Sequence, residues 1–241
     1  MKVTIHQPNY LPNAGFFHKI LQCDLFVVYD TAQFVRSRFD NRNYVKSANR
    51  PVLMTVPISR ESHFLPIAKA RVENRGGWRV KHWKTIESAY RKAPHFAALA
   101  PAFERIYAVA PETLPDLSLP IILEILGILG WKGRVELASR LPIDPTRRST
   151  EAILDILAAV NATAYLAGAS SRKYLAEEAF GPANVALEYH RFTPPVYRQL
   201  GEPFLPNLSA LDLVFNEGPA ARGVLLNECP TTTSPNHGRE S

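Results

Sequence analysis

The chain has 241 residues, of which 46% are hydrophobic and 21% are charged, a composition that is typical of a folded globular protein and excludes an intrinsically disordered one. Its two cysteines, Cys23 and Cys229, exclude a disulfide framework and favour a reducing cytoplasm, where we expect the protein to be. The longest apolar run, residues 119–129, is too short for a membrane span of about 20 residues. The N-terminus lacks a signal segment, so we expect no membrane insertion.

The charge is distributed unevenly along the chain. Residues 1–100 contain 16 Lys/Arg and 6 Asp/Glu, a net charge of +10, whereas residues 101–241 contain 12 and 16, a net charge of −4. Such a positive excess attracts phosphates, nucleotides, nucleic acid or an anionic membrane surface. Because the basic residues are mixed with asparagine, serine and aromatics, the pattern favours a shaped anion site. It contains no recognised nucleic-acid-binding module, so we predict no nucleic-acid partner.

The first 30 residues predict a strand, a helix and a second strand. Residues 3–6 alternate two apolar β-branched residues with Thr4 and His6, residues 15–23 have helical spacing, and residues 24–30 are mostly β-branched and aromatic and end in an acid. This order is typical of a βαβ unit with parallel strands. It places the residues that follow each strand at one edge of a sheet.

The remainder of the chain alternates between predicted helices and strands. A polar loop is expected at 36–50, a hairpin at 52–58 and 67–72, helices at 78–93, 95–109, 117–130, 149–161, 171–180 and 208–216, and short strands at 164–166 and 185–189. We therefore predict an α/β fold with three layers, a mostly parallel Rossmann-like sheet and a helical insertion near residues 78–130. Residues 1–228 are expected to form a single domain, and residues 229–241 a disordered tail.

The loop after the first strand concentrates hydrogen-bonding side chains. Four such side chains lie within five positions: His6, Gln7, Asn9 and Tyr10. Pro8 lies among them and Pro12 follows, and both prolines stiffen the loop. Ligands of open α/β sheets bind beyond the carboxyl ends of the strands, so this loop is predicted to bind substrate, with His6 as a catalytic base. The alternative is that His6 and Gln7 satisfy backbone groups at the end of the strand. His18, further along, points away from the apolar stripe of its helix and is expected to be exposed.

A basic segment follows the second strand. We predict Asp30 to be catalytic, orienting a base or a ribose hydroxyl, because it ends that strand. Arginines supply forked donors for phosphate, and asparagines add neutral donors and acceptors. The predicted substrate-binding residues here are Gln33, Arg38, Asn41, Arg42, Asn43 and Lys46. The alternative is a solvated basic loop.

Two later segments add candidates. Helical spacing turns His82 inward among aromatic residues, so it is either a core histidine or a second catalytic base, with Lys81 at its flank. Ser170 and Ser171 follow a strand and begin a predicted helix, where amides and hydroxyls bind anions or only cap the helix. Histidines and cysteines do not cluster at zinc spacings, so no metal site is predicted. Nothing in the sequence indicates a cofactor.

Six segments together resemble the WbqC-like protein family. They are HQPNYLPNAGFFHKI, DLFVVYDTAQF, NRNYVK, KHWKTIESAYRKAPHF, YLAGASSRKYL and LSALDLVFNEG. The family is named for a protein encoded among bacterial O-antigen genes, so the resemblance implies surface-polysaccharide or amino-sugar biosynthesis. The residues of the family's pattern are found in this sequence as His6, Gln7, Pro8, Tyr10, Pro12, Gly15, Asp30, Gln33, Phe34, Asn41, Arg42, Asn43, Lys46, Lys81, His82, Tyr90, Gly168, Tyr174, Asp212 and Asn216. Asn13 stands where the family commonly has tryptophan.

Three functions follow from these features. The first is a transferase that acts on a nucleotide-activated sugar, for instance by acylating an amino sugar, with a nucleotide-linked small molecule as its partner. The second is nucleotidyl transfer, because the strand, proline loop and glycine look like the start of a HIGH-type nucleotidylyltransferase; the paired histidines of that signature are not reproduced. The third is a non-catalytic scaffold for glycan assembly, which predicts that His6 and His82 are dispensable.

Overall fold

The computed structural model describes residues 1–36 and 38–227. Its strands are β1 (Lys2–His6), β2 (Leu25–Val28), β3 (Arg42–Ser47), β4 (Arg50–Thr55), β5 (Arg134–Leu137), β6 (Ala164–Ala167) and β7 (Ala186–Tyr189). Its α-helices are α1 (Ala14–Leu21), α2 (Trp78–Tyr90), α3 (Phe96–Ala108), α4 (Leu114–Ile128), α5 (Ser149–Ala159), α6 (Ala210–Glu217) and α7 (Ala221–Leu226). The predicted tail and Cys229 lie outside the described residues.

Five strands form a central sheet in the order β5-β2-β1-β6-β7. Every neighbouring pair in this sheet is parallel, so the predicted Rossmann-like sheet is confirmed. The chain runs from β1 through β2 to β5 at one edge, then returns to β6 beside β1 and continues to β7. The connections after β1 and β6 therefore diverge, and a crevice opens between them at the carboxyl ends of the strands.

Alternating side chains divide the core between the two faces of the sheet. In β2, Leu25 and Val27 pack with α5, whereas Phe26 and Val28 pack with α1 and the later helices. Each face carries a strongly apolar surface and needs its own helical cover, which gives the three layers. The insertion predicted near residues 78–130 is present as α2, α3 and α4 in succession. No helix among the described residues has the length and apolarity needed to cross a membrane.

The polar loop predicted at 36–50 is partly wrong, because β3 and β4 form an antiparallel hairpin there. The turn residues Ala48 and Asn49 have φ of 49° and 62°, the backbone that a two-residue hairpin turn requires and that asparagine tolerates. Within β3, Asn43 and Val45 are buried while Tyr44 between them is exposed. The burial of residues 43–45 follows strand alternation. A hydrophobicity pattern does not reveal this alternation, because the buried residue Asn43 is polar.

Two other predicted elements are also wrong. Residues 67–72 and 52–58 do not form the predicted hairpin. Ile67–Lys69 is a single 3-10 turn, and the two segments are joined by one isolated bridge, between Ile58 and Val72. The helix predicted at 171–180 is replaced by two 3-10 turns, Ala169–Lys173 and Glu177–Ala179. These 3-10 turns are short, as such turns usually are. They place residues of the segment after β6 beside the end of β1, where both segments line one cavity.

Candidate functional site

A cavity of about 680 Å³ lies at the crevice beyond β1 and β6. We call it the main cavity. Its inner end is formed by His6, Lys19 and Gly168, and its outer walls come from the start of α1, the hairpin and the segment after β7. The residues of those outer walls are Asn9, Pro12, Asn13, Gly15, Phe16, Phe39, Asn43, Tyr44, Pro51, His190, Phe192, Leu205, Pro206, Asn207 and Leu208. No acidic residue lines this cavity in the described part of the chain.

A second cavity of about 290 Å³ lies on the other side of the same inner wall. This side cavity is lined by Ile5, Gln7, Tyr29, Ser149, Ile153, Tyr165, Ser170, Ser171 and Tyr174, and it shares His6, Lys19 and Gly168 with the main cavity. Hydroxyl groups dominate its polar surface, and no carboxylate among the described residues contributes to it. Lys19 and His6 therefore offer polar groups to both cavities.

The ring of His6 is held in one orientation by its own loop. Its Nδ1 lies 3.0 Å from the carbonyl oxygen of Gln7, so Nδ1 carries the proton and donates it to that oxygen. The ring also packs edge-on against Phe16. Burial, with the nearby charge of Lys19, lowers the pKa of His6 to about 3. At neutral pH the imidazole is therefore uncharged, and Nε2 is an acceptor.

Lys19 is the least expected member of the site. It is only 3% exposed, and its ammonium donates one long hydrogen bond of 3.5 Å to the carbonyl oxygen of Ile5. Burial lowers its pKa to about 8. Within the described ranges no carboxylate forms a salt bridge with it. A buried ammonium with so little compensation is costly and is a strong candidate for ligand contact.

One lining residue of the main cavity, His190, is paired with a second histidine, His18. His18 Nδ1 and His190 Nε2 lie 2.6 Å apart, although the residues are 172 positions apart in the chain. His190 stacks on Phe192 with an angle of 13° between the rings, and burial lowers its pKa to about 4. His18 is half-buried against His190 and Phe192, so the predicted exposure of His18 is wrong.

Four asparagines line the main cavity: Asn9, Asn13, Asn43 and Asn207. Asn13 caps α1 by accepting from the amide of Phe16. Asn43 is engaged on both sides, donating to the Leu11 carbonyl at 2.7 Å and accepting from the Tyr44 amide. Asn9 differs, because its Oδ1 is buried and has no hydrogen-bond partner among the described residues. Buried polar atoms are normally paired, so Asn9 is suited to accept from a ligand.

The structure brings together six of the residues predicted from the sequence. His6, Asn9 and Asn43 line the main cavity, and His6, Gln7, Ser170 and Ser171 line the side cavity. Gln7, Asn9 and His6 come from the loop after β1, and the serines from the loop after β6. The predicted polar residues that line the cavities therefore come from the ends of β1 and β6 and from β3.

Other predicted residues lie outside the two cavities. Asp30 is buried and accepts from the Ser139 amide and hydroxyl at 2.9 and 2.5 Å. Lys46 is buried too, and its ammonium donates to the carbonyls of Gly201 and Pro203 and to Gln199. These contacts fix backbone segments, as a structural role requires.

The rest of the predicted set is distributed around the cavities. Tyr10 and His82 are hydrogen-bonded to each other at 2.8 Å behind the loop after β1. Asn41 donates to the Val56 carbonyl, and Gln33 to the Phe64 carbonyl. Arg38 and Lys81 are exposed, and Arg42 is partly buried in the hairpin. Their predicted substrate-binding roles remain predictions.

Sequence reasoning missed Lys19, His190 and Phe192. Lys19 follows Phe16 by three residues, so helical spacing places it beside that buried ring, which was the available signal. Phe39 and Tyr44 interleave with the arginines of the basic segment, a pattern that predicts support for a base or a sugar ring, and both line the main cavity. No sequence signal identified His190, because its role depends on β7 lying at the edge of the sheet next to β6.

Comparison with known proteins gives a family but no activity. The family model described as WbqC-like protein family matches residues 7–224. The chain is also similar to a Mycobacterium tuberculosis protein named Uncharacterized protein Rv1507c, with 31% identity over 222 residues, 91% of this chain and 95% of that protein. No solved structure gives a significant match.

Proposed function

The chain belongs to the WbqC-like protein family, and we propose that it is a transferase that acts on a nucleotide-activated amino sugar in bacterial surface-polysaccharide biosynthesis, most specifically by acyl transfer. The observation that carries this proposal is the pair of cavities that meet at His6 and Lys19, beyond the carboxyl ends of parallel strands. That position is where open α/β sheets bind ligands. Small-molecule sites have volumes of about 300–1,000 Å³. The main cavity lies within this range, and the side cavity lies just below it.

The linings of the cavities match the two halves of such a substrate. Phe39, Tyr44 and Phe192 give the main cavity aromatic faces for a nucleoside. Ser170 and Tyr174 give the side cavity hydroxyls, which suit the hydroxyl groups of a sugar. The acid-free lining favours an anionic ligand.

His6 supplies the chemistry that acyl transfer needs from the protein. The amine of the sugar attacks the carbonyl carbon of the acyl donor, a C–N bond forms, the bond to the leaving group breaks, and the amine loses a proton. His6 Nε2 is the acceptor for that proton, because Nδ1 is committed to the Gln7 carbonyl. Burial and then the positive charge of Lys19 lower the pKa of His6. An anion beside Lys19 offsets that charge and makes His6 a better base.

Thermal-shift measurements with a panel of nucleotide sugars test the proposal. Stabilisation by one or more of them is expected, and it should weaken in Phe39→Ala, because Phe39 is exposed at the main cavity. Phe64→Ala is the matched control, since Phe64 is similarly exposed but lies outside both cavities. Stacking of a base on an aromatic is worth about 1–3 kcal/mol. The absence of any stabilisation, or equal losses in both variants, would count against the proposal.

Nucleotidyl transfer is the second candidate, and one observation favours it. Asn13 and Gly15, at the start of α1, line the main cavity, so backbone amides of a helix N-terminus lie beside it. This candidate predicts pyrophosphate release from ATP or CTP in the presence of Mg²⁺. A chain that binds nucleotide sugars and releases no pyrophosphate supports acyl transfer over nucleotidyl transfer.

A further inference from the structure

Lys19 lines both the main cavity and the side cavity. It projects from α1 under the end of β1, and its Nζ is 4.0 Å from the position that a Cβ on Gly168 would take, at the end of β6. We propose that the Lys19 ammonium binds the phosphate or diphosphate group of the substrate at this wall. The assignment rests on the proposed function for the identity of the substrate, and it deepens it by naming the group that each cavity holds.

A comparison of the two buried lysines carries the argument. Lys46 is 4% exposed, and three oxygen atoms accept from its ammonium at 2.6, 2.7 and 3.3 Å. Lys19 is 3% exposed and has one acceptor at 3.5 Å. An ammonium has three N–H donors, so Lys46 is satisfied by the protein and Lys19 is not. Two donors of Lys19 are available at the cavity wall.

The surroundings of Lys19 suit an external anion. His6 on β1 and His190 after β7 are the titratable groups that face it from the neighbouring strands, and Cys23 lies four residues further along the chain, just beyond α1. Burial keeps both imidazoles uncharged at neutral pH and raises the pKa of the Cys23 thiol to about 12. No anionic side chain therefore competes for the ammonium among these neighbours.

The absence of a side chain at Gly168 keeps the space beside the amine open. A Cβ there would lie 3.8 Å from the Ser171 hydroxyl and 4.0 Å from Lys19 Nζ, so both polar groups border one small volume. Ser171 Oγ is a second donor for the same anion. In a nucleotide sugar the diphosphate lies between nucleoside and sugar, and Lys19 likewise lies between the aromatic main cavity and the hydroxyl-lined side cavity.

Calorimetric titration tests the assignment, with inorganic pyrophosphate and UDP-N-acetylglucosamine as separate probes. We expect Lys19→Met to bind each probe at least about ten-fold more weakly than the wild type, because a charge-assisted contact of this kind is worth about 1.5–3 kcal/mol. Lys84→Met is the matched control, since Lys84 is an exposed lysine of α2, and it should bind as the wild type does. Equal pyrophosphate affinities of Lys19→Met and wild type would overturn the assignment.

The two probes separate this inference from the proposed function. Wild-type binding of pyrophosphate through Lys19, without binding of any nucleotide sugar in the panel, supports the anion site and contradicts the substrate. Nucleotide-sugar binding that is unchanged in Lys19→Met supports the substrate and overturns the anion site.

A measurement on the wild type alone removes any dependence on how the variant folds. Sulfate keeps the same charge between pH 7 and pH 9.5, whereas a lysine with a pKa near 8 loses its proton over that interval. We expect sulfate affinity to fall about ten-fold or more between these two pH values. An affinity that stays constant up to about pH 11, where a lysine of ordinary pKa is also mostly uncharged, would overturn the role of Lys19.

Discussion

The hydroxyl of Tyr10 lies 2.8 Å from Nδ1 of His82, and it lies 2.5 Å from the hydroxyl of Tyr107. The three side chains form a chain of hydrogen bonds from α3, through the loop after β1, to α2. Burial raises the pKa of both tyrosines and lowers the pKa of His82 to about 4, so all three are uncharged at neutral pH. This chain anchors the loop that carries His6 and Asn9 to the helical insertion.

The first prediction concerns the bond between Tyr10 and His82. His82→Leu removes one hydrogen-bond partner of the buried Tyr10 hydroxyl, and we expect the free energy of unfolding to fall by about 1–3 kcal/mol. In a Tyr10→Phe background the same change should cost about 1 kcal/mol less, because the hydroxyl is already absent. Urea unfolding of the four proteins measures the coupling. Equal costs in both backgrounds would show that the hydrogen bond does not contribute.

The same variants separate positioning from catalysis for His82. If His82 only positions the loop, the activity of the His82→Leu protein should fall in proportion to its loss of folded protein or of substrate affinity. The catalytic role predicted for His82 requires instead a fall in kcat at saturating substrate, in a sample shown to be folded by circular dichroism.

The parts of the fold that the sequence predicted are those with strong local patterns. The β1–α1–β2 unit and the helices α2, α3 and α4 have clear hydrophobic periodicity, and prolines mark their limits. The hairpin was missed because Asn43 is buried through hydrogen bonds to backbone rather than through apolar contact. The edge strand β5 was missed because its four residues are partly exposed and gain their stability from pairing with β2.

The candidate site was predicted only where it is local in sequence. The loop from His6 to Tyr10 was identified because polar residues follow a strand, and the crevice rule applies to any parallel sheet. Lys46 and Asp30 were assigned to substrate because a side chain that satisfies distant backbone groups looks the same in sequence as one that binds a ligand. His190 meets Lys19 and His18 only through the order of strands, which no local pattern contains.

The second prediction is a loss of stability in mild acid. Burial lowers the pKa of His6 to about 3 and those of His82 and His190 to about 4, whereas unfolded histidine titrates near 6.5. The unfolded chain therefore binds more protons between these values, so the free energy of unfolding is full above pH 6.5 and falls as the pH drops toward 4. One histidine contributes a slope of up to about 1.4 kcal/mol per pH unit.

Comparison with His6→Gln isolates the contribution of one residue. Denaturant unfolding between pH 4.5 and 6.5 should give a shallower pH dependence for His6→Gln than for the wild type. The buried carboxyls Asp40 and Asp212, whose pKa values burial raises, affect both proteins alike and cancel in the comparison. Identical slopes would show that His6 binds its proton equally well in the folded and the unfolded protein.

The third prediction is that removing Lys19 stabilises the unliganded protein. Burial lowers the pKa of Lys19 from 10.5 to about 8, so below pH 8 the folded state holds a charge that it disfavours by on the order of 3 kcal/mol. As the pH rises from 8 to 10.5 the folded state loses this proton first, and the free energy of unfolding increases. Lys19→Met should therefore be more stable than wild type at pH 7 and lack this rise. Lys84→Met should change stability by no more than about 0.5 kcal/mol.

The fourth prediction reverses the sign for the other buried lysine. Lys46→Met leaves the carbonyl oxygens of Gly201 and Pro203 without their donor, and a loss on the order of 3 kcal/mol in the free energy of unfolding is expected. The pyrophosphate affinity of the folded fraction should remain that of the wild type. A selective loss of pyrophosphate binding with unchanged stability would instead support the phosphate contact predicted for Lys46 from the sequence.

The fifth prediction concerns Gly15, which lies within α1 at the wall of the main cavity. A Cβ on Gly15 would lie 2.8 Å from Cδ1 and 3.1 Å from Cε1 of Phe192, so Gly15→Ala forces the ring to move. Because Phe192 lines the main cavity and stacks on His190, we expect nucleotide-sugar affinity to fall several-fold, with a loss of thermal stability. Calorimetry and thermal unfolding measure the two effects.

The background of Gly15→Ala decides its sign. In Phe192→Ala the obstructing ring is gone, and alanine is favoured over glycine within a helix by about 0.5–1 kcal/mol, so Gly15→Ala should then stabilise the protein. Gly127→Ala in α4 is the matched control, because no atom lies within 4 Å of the added Cβ; it should be stabilising in both backgrounds. If Gly15→Ala is stabilising even when Phe192 is present, the ring adapts without cost, and the wall of the main cavity at Phe192 is not rigid.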